Sequence, residues 1–290
     1  LMYIEDIWHM PDFSAFGPCL ETFSRGCELV NSVFMQFQAT GETNFKELPL
    51  KVIDVGWGHE RLTWFSNGTP TIYESTFGPI VNELKKKAGI KMNNELLAEI
   101  TSGVSQVNFD KEGKNLEKIY QKLNISNNTL NKQLYPLQAI YSICDHLRTI
   151  LFAVSDGGIP SNVGGGYNLR VLLRRLFNFE DKYKFNFDLM KIVEAHAKFL
   201  KPLYPELKES LTTINKVLDI ERSRFNSTKE ASKKIIERMV ARKESFSTEK
   251  LITLYESQGI QPEYIQQFKD IRIPDDFYDQ ITSKHVSAVN

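Results

Sequence analysis

The chain has 290 residues, 41% hydrophobic and 25% charged, with 36 Lys+Arg against 36 Asp+Glu. This composition fits a globular protein of about two domains and excludes a disordered tail, a collagen and a disulfide miniprotein. Zero net charge excludes general attraction to polyanions, so any nucleic-acid site has to be a local basic patch.

No stretch approaches the roughly 18–20 apolar residues that span a bilayer, so no membrane partner is expected. Cys19, Cys27 and Cys144 are an odd set without a CxxC, and no His pair stands at zinc spacing. A reducing, cytoplasmic setting follows. The chain opens on Leu1 with residues that read as folded interior and no signal peptide, which suggests a piece of a larger protein.

Residues 1–80 carry short apolar runs broken by glycine and proline. The run 28–37 (ELVNSVFMQF) alternates and predicts a strand with Asn31, Val33 and Met35 on one face. Residues 38–49 are polar, include Gly41 and predict a turn. Residues 50–55 (LKVIDV) predict a second strand, ended by Gly56 and Gly58. HERLTWFSNG then opens as a helix that Asn67-Gly68 closes, followed by a Thr-Pro-Thr turn.

From about Tyr73 the period is helical. Helices are predicted over 76–88, 94–103, 114–123, 135–155, 167–179, 187–201, 204–220, 227–243, 247–257 and 262–269. Pro136, Pro160, Pro202, Pro205 and Pro262 fall near their starts or in linkers. The class is therefore α+β: a β-containing N-terminal piece leading into a long helical region.

Asp54-Val55-Gly56-Trp57-Gly58-His59-Glu60-Arg61 is the densest chemical segment. A strand ends in two glycines, and a helix follows with an arginine in its first turn. Glycine lets a flat or phosphate-bearing ligand approach backbone, a helix N-terminus favours an anion, and a guanidinium can stack on a base. The spacing fits neither a Walker loop nor the Rossmann GxGxxG. A tight turn with a surface arginine is the plain alternative.

This segment resembles motif 3 of the class II aminoacyl-tRNA synthetases. It is most similar to the alanine branch, whose motif runs Asp-x-Gly-x-Gly-x-Glu-Arg; Asp54, Gly56, Gly58, Glu60 and Arg61 fit. The following GTPTIYE is similar to the archaeal members. Residues 145–175 resemble the hallmark segment of the alanyl-tRNA synthetases through Asp145-His146-x-Arg148, Asp156-Gly157, Pro160-Ser161-Asn162, Gly166-Tyr167 and Arg170, Arg174 and Arg175. ELVNSVFMQF resembles the EIWNxVFMQF strand of that family. The resemblance runs from about residue 5 to about residue 270.

The resemblance implies the C-terminal part of an antiparallel-sheet catalytic domain over 1–75, followed by a mostly helical tRNA-recognition domain over 76–290. It implies ATP-dependent activation of alanine to alanyl-adenylate and transfer to the 3′ end of tRNA(Ala), with Asp54 and Arg61 catalytic. Trp8, Asn31, Val33, Asp54 and Gly56 then bind alanine, Asp54 through the ammonium and Val33 as part of a methyl-sized pocket. Glu28, Gly56, Gly58 and Arg61 bind ATP, Arg61 by stacking on adenine and Glu28 through Mg²⁺ on the phosphates. Asn162, Arg170, Arg174, Arg175 and Glu256 face tRNA. Asn162 matches the asparagine that contacts the G–U wobble pair of the acceptor stem, and Glu256 stands where the family has aspartate. His59 and His146 are structural or substrate-contacting, not bases.

From the residues alone, plainer roles stand beside these. Asp54 can be a cap, Val33 core, Trp8 a buried aromatic, Glu28 a solvent-facing strand residue, and the arginines of 170–175 a solvated helix face. The basic residues Lys229, Lys233, Lys234, Arg238 and Arg242 can track phosphates or form an outer face. Motifs 1 and 2, the editing domain and its zinc ligands are not found, so zinc is not expected. The chain alone is expected to be inactive, with the remaining N-terminal catalytic and C-terminal editing segments as partners. A non-catalytic tRNA-binding module is the alternative.

Overall fold

The computed structural model describes residues 1–41, 43–104, 114–266, 268–274, 276–277 and 280. Residue 267 of the predicted 262–269 helix, and residues 105–113 and 281–290 of the region 76–290, lie outside the described residues. The chain divides into two compact units, Leu1–Cys144 and Asp145–Asn290.

The first unit opens with an antiparallel meander of four strands in the order β1-β2-β3-β4: β1 Met2–His9, β2 Phe16–Ser24, β3 Cys27–Ala39 and β4 Phe45–Trp57. Strands β1 and β2 were not expected, because Pro11, Gly17 and Pro18 break their pattern. The structure explains how β2 tolerates them. Its ladder to β3 is interrupted between Phe16 and Cys19, where Pro18 lacks a donor without loss. At the same bulge a Cβ on Gly17 would stand 1.9 Å from the Phe34 carbonyl oxygen. Gly17→Ala is therefore expected to cost about 2–3 kcal/mol of stability, read as a lower denaturant midpoint at unchanged slope.

The predicted turn over 38–49 is corrected at both ends, which belong to strands. Strand β3 runs on to Ala39, and β4 starts at Phe45. Three aromatic rings hold these strand ends together: Phe16, Phe37 and Phe45 pack with centroids 5.3–5.8 Å apart.

Helix α1 (His59–Asn67) follows, closed by Gly68 in the left-handed region at φ +63°. The predicted 76–88 helix is two, α2 (Ile72–Phe77) and α3 (Pro79–Lys87), broken at Gly78 with φ +44°. Then come α4 (Asn94–Val104), α5 (Lys114–Lys122), α6 (Asn127–Thr129) and a π-turn over Leu130–Leu134 that leads into α7 (Tyr135–Ser155). Apolar side chains of these helices, among them Val81, Leu84, Leu137 and Ile140, form the unit's core. A carboxylate is satisfied within it: Thr71 Oγ1 and Tyr141 Oη both donate to Glu74, with Lys85 Nζ 3.7 Å away. Burial and this acceptor push the Tyr141 phenol far above its ordinary value.

The second unit is helical. Its elements are α8 (Gly164–Tyr183), α9 (Leu189–Leu200), a 3₁₀ turn (Pro205–Ser210), α10 (Leu211–Ala241), α11 (Thr248–Gln258) and α12 (Pro262–Ile265). The predicted pair 204–220 and 227–243 is one long helix after the 3₁₀ turn. Polar Asn226-Ser227-Thr228 reads as a break, but Phe225 packs on Phe177 at 5.4 Å and carries the helix through. A second apolar cluster gathers Ile236, Met239, Leu251, Leu254 and Ile265. Among the described residues, no helix is long and apolar enough to cross a membrane.

Candidate functional site

Strand register decides which side chains share a face. Val33 pairs with Asp54 and with Cys19, and Asn31 pairs with Gly56 and with Glu21. Cys19 in turn pairs with Asp6, and Trp8 with Gly17. Directly opposed residues point to the same side, and parity along each strand does the rest. Trp8, Asn31, Val33, Asp54 and Gly56 therefore lie on one face, together with Asp6, Cys19 and Glu21. The opposite face carries Ile7, Ile53, Val55 and Trp57, all exposed.

The centre of the functional face is dry and its borders are acidic. Val33 is 6% exposed and Cys19 4%, so the two form a floor. Burial pushes the Cys19 thiol up, with Glu21 adding to it, so Cys19 is neutral and no nucleophile. Asp54 lies inside β4, four residues before Gly58, the residue that precedes α1; it is not a helix cap. Diagonal neighbours on adjacent strands stand about 7–8 Å apart, which is the spacing of Asn31 from Asp54.

Asn31 carries an unused acceptor. Its Nδ2 donates to Glu21 Oε1 at 3.4 Å, while its Oδ1 is buried with no partner among the described residues. A buried acceptor left open costs about 1–3 kcal/mol, a cost that a bound donor removes. Gly56, opposite Asn31, has room to spare: the nearest atom to a Cβ placed there is the Asn31 carbonyl oxygen at 3.9 Å. The protein's own packing does not demand glycine at 56.

Gly58 is different. A Cβ there would lie 2.6 Å from Arg61 Nε and 3.1 Å from Arg61 Cβ, because Arg61 folds back over Gly58. Arg61 Nη1 then donates to Glu28 Oε2 at 2.7 Å, while Gly58 N–H donates to the Leu29 carbonyl at 3.1 Å. Glu28, expected at the metal, is thus the partner that holds the guanidinium plane. Gly58→Ala is expected to leave stability within about 1 kcal/mol, since its φ of −73° suits any residue, yet to displace Arg61. The Arg61 side-chain signal in NMR is then expected to shift while the melting temperature holds.

In the second unit, an open cleft of about 500 Å³ lies between α8 and α10, lined by Asn162, Arg170, Arg174, Glu221, Arg224 and Ser227, among others. Glu221 is 5% exposed, and Arg170 grips it with two nitrogens, Nε at 2.9 Å and Nη2 at 3.1 Å. Arg224 Nη1 adds a third bond at 2.7 Å. Arg170 Nη1 also donates to Asn162 Oδ1. Burial alone raises the Glu221 carboxyl, but the bonds from Arg170 and Arg224 outweigh it and hold the group below its ordinary value.

Of the predicted tRNA-facing residues, Asn162, Arg170 and Arg174 come together here. Arg175 is exposed and Glu256 is exposed on α11; neither lines the cleft. Arg174 does run close to the end of α11, since a Cβ on Gly259 would stand 3.2 Å from its Nη1. Gly164, Gly165 and Gly166 form the first turn of α8. Gly166 serves the chain's own backbone there, as a Cβ would meet Ser161 Oγ at 2.4 Å and the Ile159 carbonyl at 2.5 Å. Of the basic residues on α10, Lys229 is tied to Asp181 at 2.5 Å.

Sequence reasoning missed Glu21 and Glu221. Glu21 would have been found had β2 been read as a strand, since parity places it beside Asn31. Glu221 gives no local signal. Among the described residues, no group of three or more His, Cys, Asp or Glu stands together to hold a metal ion.

Comparison with known proteins bears on this arrangement. Residues 12–273 match the family model described as tRNA synthetases class II (A). The Alanine--tRNA ligase of Methanocella arvoryzae is 38% identical over 289 residues, covering 98% of this chain and 33% of the relative. That of Cenarchaeum symbiosum is 38% identical over 290 residues, covering 98% and 32%. That of Nitrosopumilus maritimus is 37% identical over 291 residues, covering 99% and 32%. The chain spans about a third of the length of these curated relatives. With a meander that ends in the glycine turn, and a match running over most of its length, this chain belongs to the class II tRNA synthetase (A) family.

Proposed function

We propose that this chain supplies the alanine-binding and adenosine-binding end of an alanine–tRNA ligase together with its acceptor-stem reader. The observation that carries the reading is the register: Asp54, Asn31 and Val33 share one face, with an open buried acceptor on Asn31. Two acceptors beside a dry apolar floor suit an ammonium and a methyl group. Asp6, Glu21 and Asp54 give that face a negative field that favours the cation. A methyl-sized pocket discriminates weakly, by about 1–3 kcal/mol, which fits a separate editing segment elsewhere in the protein.

In this reading the alanine carboxylate attacks the α-phosphorus of ATP in line and pyrophosphate leaves. A ribose hydroxyl at the tRNA end then attacks the acyl carbon and AMP leaves. The chain positions these groups and supplies no nucleophile. Arg61, held over Gly58 by Glu28, presents its plane to adenine. Glu28 is engaged by Arg61, and no cluster of ligands surrounds it, so these residues do not fit a metal site of their own. Mg²⁺ enters with ATP, as part of that substrate.

The same reading divides the chain into a catalytic part over 1–75 and a helical tRNA-recognition part over 76–290, and it sets the protein in the cytoplasm. The exposed apolar face of the sheet supports the remaining catalytic segments as partners. The test is alanine-dependent ATP–pyrophosphate exchange with those segments supplied. Exchange supports the reading. A folded assembly that binds tRNA(Ala) without exchange overturns it in favour of a non-catalytic RNA-binding module.

A further inference from the structure

The cleft between α8 and α10 contains a buried acid to which no part of the proposed reaction assigns a role. We infer that Glu221 is a positioning residue which, through Arg170, fixes the orientation of the Asn162 amide and so presents its Nδ2 donor to the RNA stem. The inference rests on the acceptor-stem reading above and names the device behind it.

Three side chains form the relay. Glu221 is nearly fully buried and accepts from two arginines. A guanidinium has five donors in a rigid fork and no acceptor. With Nε and Nη2 committed to Glu221, the Arg170 plane is locked, and its remaining Nη1 edge meets Asn162. Whatever atom of Asn162 faces an arginine must be its oxygen. The amide is thereby oriented with Oδ1 inward, and Nδ2, which has no partner among the described residues, is left as the outward group on an exposed residue.

An Asn without that lock presents either a donor or an acceptor. With it, the Nδ2 donor is the group held outward. The minor groove of an RNA stem offers acceptors at purine N3, pyrimidine O2 and the 2′-hydroxyl, and one base-borne donor, the guanine amino group. The oriented Nδ2 is therefore matched to a groove acceptor, and because a wobble pair displaces the pyrimidine O2 relative to a Watson–Crick pair, a donor fixed in place tells the two stems apart. The hydroxyl of Ser227 and the guanidinium of Arg174 line the same cleft and suit ribose and phosphate contacts.

The experiment measures binding of acceptor-stem minihelices, one with the G–U pair and one with G–C, to the full chain by fluorescence anisotropy. The unaltered chain is expected to prefer the G–U stem. In Glu221→Gln the preference is expected to fall about tenfold, near the worth of one good base contact, while salt-dependent affinity for both stems changes less. Loss of preference without general loss of binding is a result that mere destabilisation does not give. If Glu221→Gln does not fold, Arg170→Lys serves: it keeps a cation on Glu221 but cannot reach Glu221 and Asn162 together. The same fall in preference is expected. Discrimination kept in the folded variants overturns the role of Glu221 and leaves the stem-reading intact. An unaltered chain that binds both stems equally overturns the stem-reading, and this inference with it.

Discussion

Replacing Asp54 by alanine, in the presence of the missing catalytic segments, is expected to lower kcat/KM for alanine activation by on the order of a hundredfold, about 3 kcal/mol. The carboxylate sits opposite Val33 in the β3–β4 ladder and is exposed, with no side-chain hydrogen bond or ion pair among the described residues. Its loss therefore leaves the fold unharmed, and the melting temperature is expected to stay within a degree or two of the parent's. Asp54→Asn is expected to behave almost as badly, because size is kept and charge is lost. Pyrophosphate exchange separates this outcome from one in which Asp54 is an ordinary strand residue. Full exchange by either variant sinks the ammonium role.

Replacing Glu221 by alanine is expected to cost about 3–5 kcal/mol in chemical denaturation, the usual result of leaving a buried charge without its partner. The buried charge left behind is Arg170, 11% exposed. The pH dependence has a definite sign. The folded carboxyl lies below its ordinary value, so its contribution is complete above about pH 4.3, where the unfolded group is also ionised. It is lost as pH falls through the lowered folded value. A denaturation series at falling pH should show the parent losing this increment and Glu221→Ala lacking it throughout. Removing both partners as Glu221→Met with Arg170→Met is expected to recover most of the loss, since no charge remains buried. A single variant as stable as the parent contradicts the account.

These two residues mark opposite ends of what could be read in advance. Asp54 was visible because its chemistry is local. A carboxylate, two glycines and an arginine within eight residues state a strand end, a close approach and a helix start. Asn31 and Val33 were legible for a related reason, since alternation along one strand assigns them to one side. The helical span was readable wherever a period of 3.6 ran unbroken, as in α7. It was misread where polar residues interrupted the period but a partner did not, as at Phe225 in α10. Strands β1 and β2 were hidden because Gly17 and Pro18 suit a bulge, and a bulge is legible only beside the strand that forms it.

The sequence by itself determined the glycine turn, the family resemblance and the site residues grouped along β3 and β4. Only the tertiary structure decided that Glu21 supports Asn31, that Glu28 holds Arg61, and that Glu221 is buried between two arginines. The reason is separation along the chain. Arg61 and Glu28 are 33 positions apart, and Arg170 and Glu221 are 51 apart. No local period carries such a pairing. It exists because two elements pack and bring opposite charges within reach of each other.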